Sequence, residues 1–244
     1  MIVILGETHD DILYFTSVLA NKREDKLLGR YKIAIGTIFN QEALIAYNLY
    51  TSTLTSAVLM HIIERYPVDL VIAVGRCIAV SKEVKSGNIL VSKKVIDVNV
   101  DLTMFENIAM AQVPGFNRDF EVQDDIIGYI CQGLDKRISV DYHRTVFLST
   151  DNMSASMRKH LIENRSLFAM DNDIIAIDQN SAGVAIASQL KETPYIIVKV
   201  AENNMDAENN LKTYSDVLSR YIDLGKAVVS TINDIGRGDI LEGA

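Results

Sequence analysis

The sequence predicts an α/β fold, a single-domain sandwich in which helices flank a central mixed, largely parallel sheet. Short apolar runs alternate with helix-like segments along all 244 residues, as in chains that pack helices on a sheet. Several of the runs are β-branched and continuously apolar, which is typical of strands buried on both faces. No linker, internal repeat or low-complexity tract interrupts the alternation, which favours one domain.

The predicted elements follow one another along the chain. The strand candidates are short apolar runs at residues 2–5, 32–38, 70–74, 89–98, 145–149, 174–177 and 195–200. The helix candidates carry apolar residues at helical spacing and cover residues 10–20, 52–66, 124–134, 154–163, 181–190 and 213–232. Pro67 is expected to end the second helix. The domain is therefore predicted to span residues 1–236, with residues 237–244 as a frayed tail.

Composition and charge exclude several function classes. Acidic residues outnumber basic ones, 32 to 24, and the formal net charge of −8 argues against binding to nucleic acid, which normally requires a basic face. No apolar run approaches the roughly 18–20 residues that span a bilayer. The two cysteines, Cys77 and Cys131, form neither a metal-binding nor a disulfide pattern. We expect a cytoplasmic protein that binds neither nucleic acid nor membrane and holds no metal or other cofactor.

Polar residues follow two of the predicted strands, where a ligand pocket is expected. Asp178, Gln179 and Asn180 come directly after one buried strand, and Glu202 and Asn203 follow another. Ligands of α/β sheets bind outside the carboxyl ends of the strands. The sequence therefore predicts a pocket lined by these side chains.

Four blocks of the sequence carry a resemblance to a known superfamily. They are residues 2–11, the strand and glycine loop at 69–80 with its return strand at 84–92, residues 147–154, and the pocket stretches at 176–185 and 195–204. In this order and spacing they resemble the purine nucleoside phosphorylase and methylthioadenosine/adenosylhomocysteine nucleosidase superfamily. The resemblance implies the fold given above and cleavage of the N-glycosidic bond of a purine nucleoside.

The resemblance implies three catalytic positions. The family's glutamate, which activates water, falls on Asp11, and the Ser-Asp pair that protonates the departing base falls on Glu202 and Asn203. Because an amide donates a hydrogen bond but no acidic proton, Asn203 would orient the base. Asp11 or Glu202 is then the candidate general base. Asp10 and Asp11 also begin a predicted helix, so a capping role is the alternative.

The glycine loop supplies further candidates on the sugar or nucleophile side of the pocket. Gly75 is retained, whereas the family's serine falls on Arg76 and a following glycine falls on Ile78. Arg76 is either an anion-recognition group or a plug that pairs with Asp178 or Glu202.

The sugar site and its neighbouring strand complete the polar set. The family's Glu-Met-Glu reads here as Asp178, Gln179 and Asn180, of which Asp178 and Asn180 would hold the sugar. Lys199 takes the place of an arginine at the end of the last pocket strand. It is either a substrate-binding residue or the ion-pair partner of Glu202.

Apolar contacts to the ligand are implied at two positions. The family's purine-stacking phenylalanine falls on Met153, which is either a base contact or a core residue. Family members are dimers or hexamers whose neighbouring subunit lends residues to the pocket. Phe105 lies in the matching region, so the resemblance implies a homodimer to which Phe105 contributes from the partner subunit.

Two function classes stay open on these residues. The first is a nucleosidase or nucleoside phosphorylase, for which water is favoured over phosphate because Arg76 and Lys199 are the only pocket cations that the sequence offers. The second is a catalytically inactive protein of the same fold with a ligand-binding, regulatory or storage role. The amide at Asn203, where the family has an acid, favours the second class.

Overall fold

One mixed sheet, with ten strands among the described residues, forms the centre of the molecule. The computed structural model describes residues 1–29, 31–105, 107–137, 141–170, 172–204 and 214–234, and for residues 203, 204 and 214 it covers the backbone alone. The first five strands are β1 (Ile2–Gly6), β2 (Ala20–Leu27), β3 (Tyr31–Ile38), β4 (Gln41–Ala46) and β5 (Leu70–Ala79). The other five are β6 (Ile89–Asp97), β7 (Asp119–Glu121), β8 (Tyr142–Ser149), β9 (Ile174–Asp178) and β10 (Tyr195–Asn204).

Helices cover the sheet, as the fold-class prediction requires. Within the described residues the α-helices are α1 (Leu13–Val18), α2 (Ser52–Arg65), α3 (Asp124–Arg137), α4 (Ala155–Glu163), α5 (Ser181–Leu190) and α6 (Tyr214–Asp234). Short 3₁₀ helices lie at Asp10–Ile12 and Arg165–Leu167. No helix in these ranges is both long and apolar enough to cross a membrane. The α/β prediction is confirmed, and the predicted tail at 237–244 lies outside the described residues.

The sheet closes on itself around β5. The first part of β5 pairs in parallel with β1, almost the whole of β5 pairs in parallel with β10, and its last residues pair antiparallel with β9. Strand β10 also pairs antiparallel with β6, and the parallel pairs β6–β8 and β8–β9 complete the ring. From β1 the sheet continues through β4 and β3 to the edge strand β2. Closure brings the ends of β1, β5, β9 and β10 to one side of the ring.

Three strands escape the sequence prediction. The side chains of β2 are almost all exposed and many are charged, so this edge strand carries no apolar run to detect. Strand β4 pairs in parallel with β1, and its short apolar stretch follows two polar residues. Strand β7 has three residues and pairs only with β6 among the described strands. The predicted helix at 10–20 is also wrong in extent, because β2 already begins at Ala20.

Helices α2 and α5 pack closely beside the ring. Helix α2 begins after Thr51, whose side chain accepts a hydrogen bond from the backbone N–H of Leu54. A Cβ atom on Gly183 of α5 would lie 2.1 Å from the carbonyl oxygen of Ser52, so only glycine allows this approach. The contact fixes the start of α2 against α5, which directly follows β9 and its last residue, Asp178.

Candidate active site

The ends of four strands bring charged side chains together in one buried cluster. Glu7 follows β1, Arg76 lies in β5, Asp178 ends β9, and Lys199 lies in β10. In the ladder between β5 and β10, Lys199 stands opposite Gly75, and Gly6 of β1 stands opposite Val74. The closed ring therefore builds the site from segments that are far apart in sequence.

Lys199 lies at the centre of this cluster and is completely buried. Its ammonium nitrogen Nζ lies 2.6 Å from Glu7 Oε1, 2.5 Å from Asp178 Oδ2 and 2.7 Å from Asn180 Oδ1. These three acceptors match the three hydrogens of an ammonium group. Burial lowers the pKa of Lys199, but the carboxylates of Asp178 and Glu7 outweigh burial and hold it above its usual value. Lys199 is thus a charged, saturated residue.

Lys199 does not pair with Glu202, which was one of the two alternatives that the sequence left open. Its carboxylate partners are Glu7 and Asp178, and no ion pair with Glu202 is formed among the described residues. The reason is geometric, because Lys199 is a central residue of β10 that stands opposite Gly75, whereas Glu202 lies beyond it towards the strand end.

Glu7 belongs to the site although the sequence analysis did not select it. Its side chain is 4% exposed and is hydrogen-bonded to Lys199. Burial raises its pKa to about 7, against the opposing effect of Lys199, and the charges of Asp178 and Asp11 raise it further. The available signal was its position, since Glu7 directly follows the first buried strand and its terminal glycine.

Asp11 is buried beside Glu7, on the 3₁₀ helix that follows β1. Its Oδ2 atom accepts a hydrogen bond from the backbone N–H of Thr8 at 2.6 Å, which is a local capping interaction. Its Oδ1 atom is buried and has no hydrogen-bond partner within the described part of the chain. Burial raises the pKa of Asp11, although the hydrogen bond from Thr8 lowers it. The residue therefore combines the predicted capping contact with a carboxylate oxygen that is free to accept a proton.

Gly75 provides the surface over which the Glu7 and Asp11 carboxyl groups meet. A Cβ atom at this position would lie 3.4 Å from Glu7 Cδ and 3.5 Å from Asp11 Oδ2. The backbone φ of Gly75 is +152°, which side-chain-bearing residues rarely adopt. The backbone conformation, more than the available space, therefore favours glycine at this position.

Arg76 covers the cluster from the solvent side. Its Nη1 atom lies 3.2 Å from Glu202 Oε1, and its Nε atom lies 3.9 Å from Glu7 Oε2. The Tyr221 hydroxyl of α6 is a second neighbour of Glu202, at 3.4 Å from Oε1. The alternative in which Arg76 pairs with Glu202 is thus observed, whereas Asp178 pairs with Lys199. Nothing in the sequence pattern of α6 indicated that Tyr221 would reach this site.

The polar residues after β9 are engaged in local hydrogen bonds. The Asn180 amide donates to the Leu49 carbonyl oxygen at 2.9 Å while its Oδ1 accepts from Lys199. Ser181 donates to Asp178 Oδ2, and Asp178 Oδ1 is buried with no partner among the described residues. Gln179 contributes its carbonyl oxygen, which accepts a hydrogen bond from the Ser52 hydroxyl at 3.0 Å. Asp178 and Asn180 therefore meet at the site as predicted.

The other predicted residues lie at its edge or outside the description. Met153 is partly buried and packs against a second apolar cluster around β8 and β9, which supports its alternative role in packing. Ile78 pairs with Ile177 where the ring closes. Phe105 is 53% exposed on the loop after β6. The side chain of Asn203 lies outside the described part of the structure.

The charges of the cluster are unbalanced. The carboxyl groups are those of Glu7, Asp11, Asp178 and Glu202, and the cations are Arg76 and Lys199. Like charges at close range favour retention of a proton by one member, which agrees with the raised pKa of Glu7. The cluster thus offers both a carboxylate and a carboxylic acid near neutral pH.

Two nucleosidases from bacteria are similar to this chain in sequence. The chain is 26% identical over 200 residues to a 5'-methylthioadenosine/S-adenosylhomocysteine nucleosidase of Buchnera aphidicola, covering 80% of this chain and 82% of the relative. It is 22% identical over 212 residues to the protein of the same name from Bacillus pumilus, covering 86% and 88%. These relatives match along most of their length.

Solved structures show the same fold. The nucleosidase of this type from Neisseria meningitidis, in complex with methylthio-immucillin-A, superimposes with a TM-score of 0.83 at 18% identity, covering 96% of this chain and 98% of that one. The Campylobacter jejuni enzyme gives a TM-score of 0.85 at 15% identity, with the same coverage. A family model described as the phosphorylase superfamily matches residues 1–232. As the resemblance predicted, the chain belongs to the phosphorylase superfamily.

Proposed function

We propose that this protein is a hydrolytic N-glycosidase that cleaves a purine nucleoside of the methylthioadenosine or adenosylhomocysteine type. The observation that carries the proposal is the buried Asp11 carboxylate, whose Oδ2 lies beside Glu7 at the bare backbone of Gly75 and whose Oδ1 has no hydrogen-bond partner among the described residues. The curated relatives are nucleosidases for these two compounds and match this chain over most of their length. Both findings support the assignment of Asp11 as the base of a nucleosidase.

Each predicted residue has a role in the proposed reaction. Asp11 takes a proton from water as its oxygen bonds to the sugar carbon, while the bond between that carbon and the purine nitrogen breaks. Positive charge develops on the sugar, and the surplus of carboxylates stabilises it. The resemblance assigns Glu202 and Asn203 to the departing base, to which an amide can hydrogen-bond without supplying an acidic proton. The base takes its proton from solvent, because an amide supplies none.

The remaining predicted residues would bind the substrate. Asp178 and Asn180 lie at the sugar, and Lys199 fixes the orientation of both side chains. Gln179 would contribute its backbone at the sugar site. Gly75, Arg76 and Ile78 would line the side from which water enters, and Met153 would lie at the edge of the base.

Water is favoured over phosphate as the nucleophile because of the state of the two cations. Lys199 has three acceptors from the protein, and Arg76 is paired with Glu202. A phosphate site usually gathers several uncommitted donors. Two of the surrounding carboxyl oxygens, on Asp11 and Asp178, have no partner in the described chain and would repel an anion.

The proposed activity is tested by the release of free base. Methylthioadenosine, adenosylhomocysteine, adenosine and inosine are incubated with the protein, with and without inorganic phosphate. We expect adenine from the first two compounds at a rate that phosphate does not change, with free sugar as the second product. Formation of a sugar 1-phosphate would contradict the hydrolytic assignment, and base release no faster than in an Asp11→Ala, Glu202→Ala double variant would contradict the activity.

A nucleoside-binding protein without turnover is the second candidate function. The observation that favours it is the saturation of Asn180, which bonds to both Lys199 and the Leu49 carbonyl and so has little capacity left for a ligand. Under this candidate a nucleoside raises the melting temperature while no base is released. If no nucleoside shifts the melting temperature and none is cleaved, both candidates fail.

We also propose a homodimer in which Phe105 approaches the partner's site. Large apolar side chains are exposed together on the loop between β6 and β7: Met104 at 83%, Phe105 at 53%, Val113 at 38% and Phe116 at 51%. Exposed apolar patches of this kind mark interaction sites. Sedimentation velocity is expected to give twice the chain mass of 27.1 kDa, and Phe105→Asp should shift the protein towards monomer. A monomer at micromolar concentration would contradict the proposal.

A cytoplasmic location is part of the same proposal. Cys77 and Cys131 are both free and buried, as expected in a reducing compartment. Nucleosides of the proposed type are small, polar substrates, which fits a protein in that compartment.

A further inference from the structure

Glu7 shares the buried space over Gly75 with the candidate base. A Cβ atom on Gly75 would be within 3.5 Å of both the Glu7 carboxyl carbon and Asp11 Oδ2, so the two carboxyl groups border the same small volume. Both side chains are almost completely buried. Two neighbouring carboxyl groups that are buried from solvent do not both ionise easily, because each negative charge disfavours the other.

Glu7 and Asp11 have different hydrogen-bond partners, which suit them to different roles. Glu7 is held by the ammonium group of Lys199, which also binds Asp178 and Asn180, so the position of Glu7 is fixed. Asp11 is held by Thr8, whose backbone N–H donates to Oδ2, and its Oδ1 has no hydrogen-bond partner among the described residues. The charge state of Glu7 can therefore influence the basicity of Asp11.

We propose that Glu7 is a positioning residue for Asp11, and that the two carboxyl groups act as an acid–carboxylate pair over the backbone of Gly75. The inference rests on the proposed N-glycosidase function, to which it adds a residue beyond those that the sequence selected. Asp11 is the group that would take the proton from water. Glu7 acts through Asp11 by setting the charge beside it.

Every element packed against Glu7 contributes to its ionisation. The charged or titratable groups that face or influence it are Asp11 from the 3₁₀ helix, Arg76 and Cys77 from β5, Asp178 from β9, Lys199 from β10 and Tyr221 from α6. Burial raises the pKa of Glu7 to about 7, and the charge of Asp11 contributes to the rise. The pair consequently gains its second negative charge when the pH passes through neutrality.

The second charge should accelerate the proposed reaction. It makes Asp11 a stronger base and adds negative charge near the sugar carbon, where positive charge develops. An interaction of one pKa unit corresponds to about a tenfold change in an equilibrium constant. On this scale, a group with a pKa of about 7 should raise kcat/KM for base release about fivefold between pH 6 and pH 8, towards a limit of about tenfold.

Glu7→Gln tests the inference because glutamine imitates the protonated side chain and keeps an oxygen for Lys199. The rate of the variant should stay within about twofold of the wild-type rate at pH 6 and should not rise towards pH 8. The wild-type rise is larger than a twofold error in the measured rates, so its loss can be detected. Glu24→Gln, which alters an exposed carboxylate on the edge strand β2, is the matched control and should keep the full rise. An unchanged rise in Glu7→Gln would overturn the inference.

A second measurement separates this inference from the proposed activity. Carboxyl carbons of the wild-type protein, labelled with ¹³C, are titrated by NMR. A carboxyl group that ionises near pH 7 and whose signal is absent in Glu7→Gln supports the pair even if no nucleoside is cleaved. Ionisation of Glu7 at its ordinary value would refute the pair even if the protein is an active nucleosidase.

Discussion

Replacement of Lys199 by methionine is expected to lower the free energy of unfolding by about 3–5 kcal/mol, the usual loss when one partner of a buried ion pair is removed. The side chain has no exposed surface, and Glu7 and Asp178 depend on it for a counter-charge. Methionine fills most of the volume but removes the cation that Glu7 and Asp178 share, and Glu7 then keeps only the longer contact with Arg76. Denaturation in urea, followed by circular dichroism, measures the loss.

The pH dependence identifies the cause of this loss. Because the pKa of Glu7 is raised from 4.5 to about 7, the folded protein binds more protons than the unfolded chain in this range. The stability contributed by Glu7 is therefore greatest below about pH 5 and falls as the pH rises through 7. Without Lys199 the pKa of Glu7 moves higher still, so the variant should lose less stability at pH 5 than at pH 8.

Two comparisons sharpen this test. Lys22→Met removes an exposed lysine that pairs with Glu24 on β2, and it should cost at most about 1 kcal/mol. Combining Lys199→Met with Glu7→Gln should recover part of the loss, because the amide carries no charge that needs a partner. A loss below about 1 kcal/mol in Lys199→Met would mean that the buried cluster is not charged as described.

Substitution of Asp11 by asparagine is expected to reduce the proposed base release by about 10²–10⁴-fold, the usual contribution of a general base. Asparagine keeps an oxygen that can accept the hydrogen bond from the Thr8 backbone. It removes a buried carboxyl group whose Oδ1 has no hydrogen-bond partner among the residues described, whereas the neighbouring Glu7 carboxyl group is bonded to Lys199. Initial rates with methylthioadenosine, measured by adenine release, provide the test.

Stability distinguishes a catalytic role of Asp11 from a structural one. Burial raises the pKa of Asp11, so its ionised form is disfavoured in the folded protein and the amide should be equally or more stable at pH 7. Asp10→Asn, at the neighbouring position in the same 3₁₀ helix, is the control and should keep its rate within about twofold, since Asp10, unlike Asp11, is not buried. A rate for Asp11→Asn within twofold of wild type would assign proton abstraction to another group.

The candidate site was predicted in part. Local sequence placed Asp178 and Asn180 after a buried strand and Asp11 at a helix start, and the structure brings all three to one cluster. Glu7 was missed because a single acidic residue after a glycine carries little pattern. Tyr221 was missed because it belongs to α6, whose amphipathic sequence predicts a packed face without indicating what that face contacts.

The sequence by itself determined the fold class, the buried strands and the places where polar residues follow them. These properties depend on residues that are near one another in sequence, because a buried strand or helix face produces a regular pattern of apolar residues along the chain. The tertiary structure alone decided which charges pair. Lys199 meets Glu7 across 192 residues, and Arg76 meets Glu202 because the sheet closes around β5. Ion pairing depends on distances of a few ångströms, and those distances are set by strand register and ring closure, which leave no periodic record in the sequence.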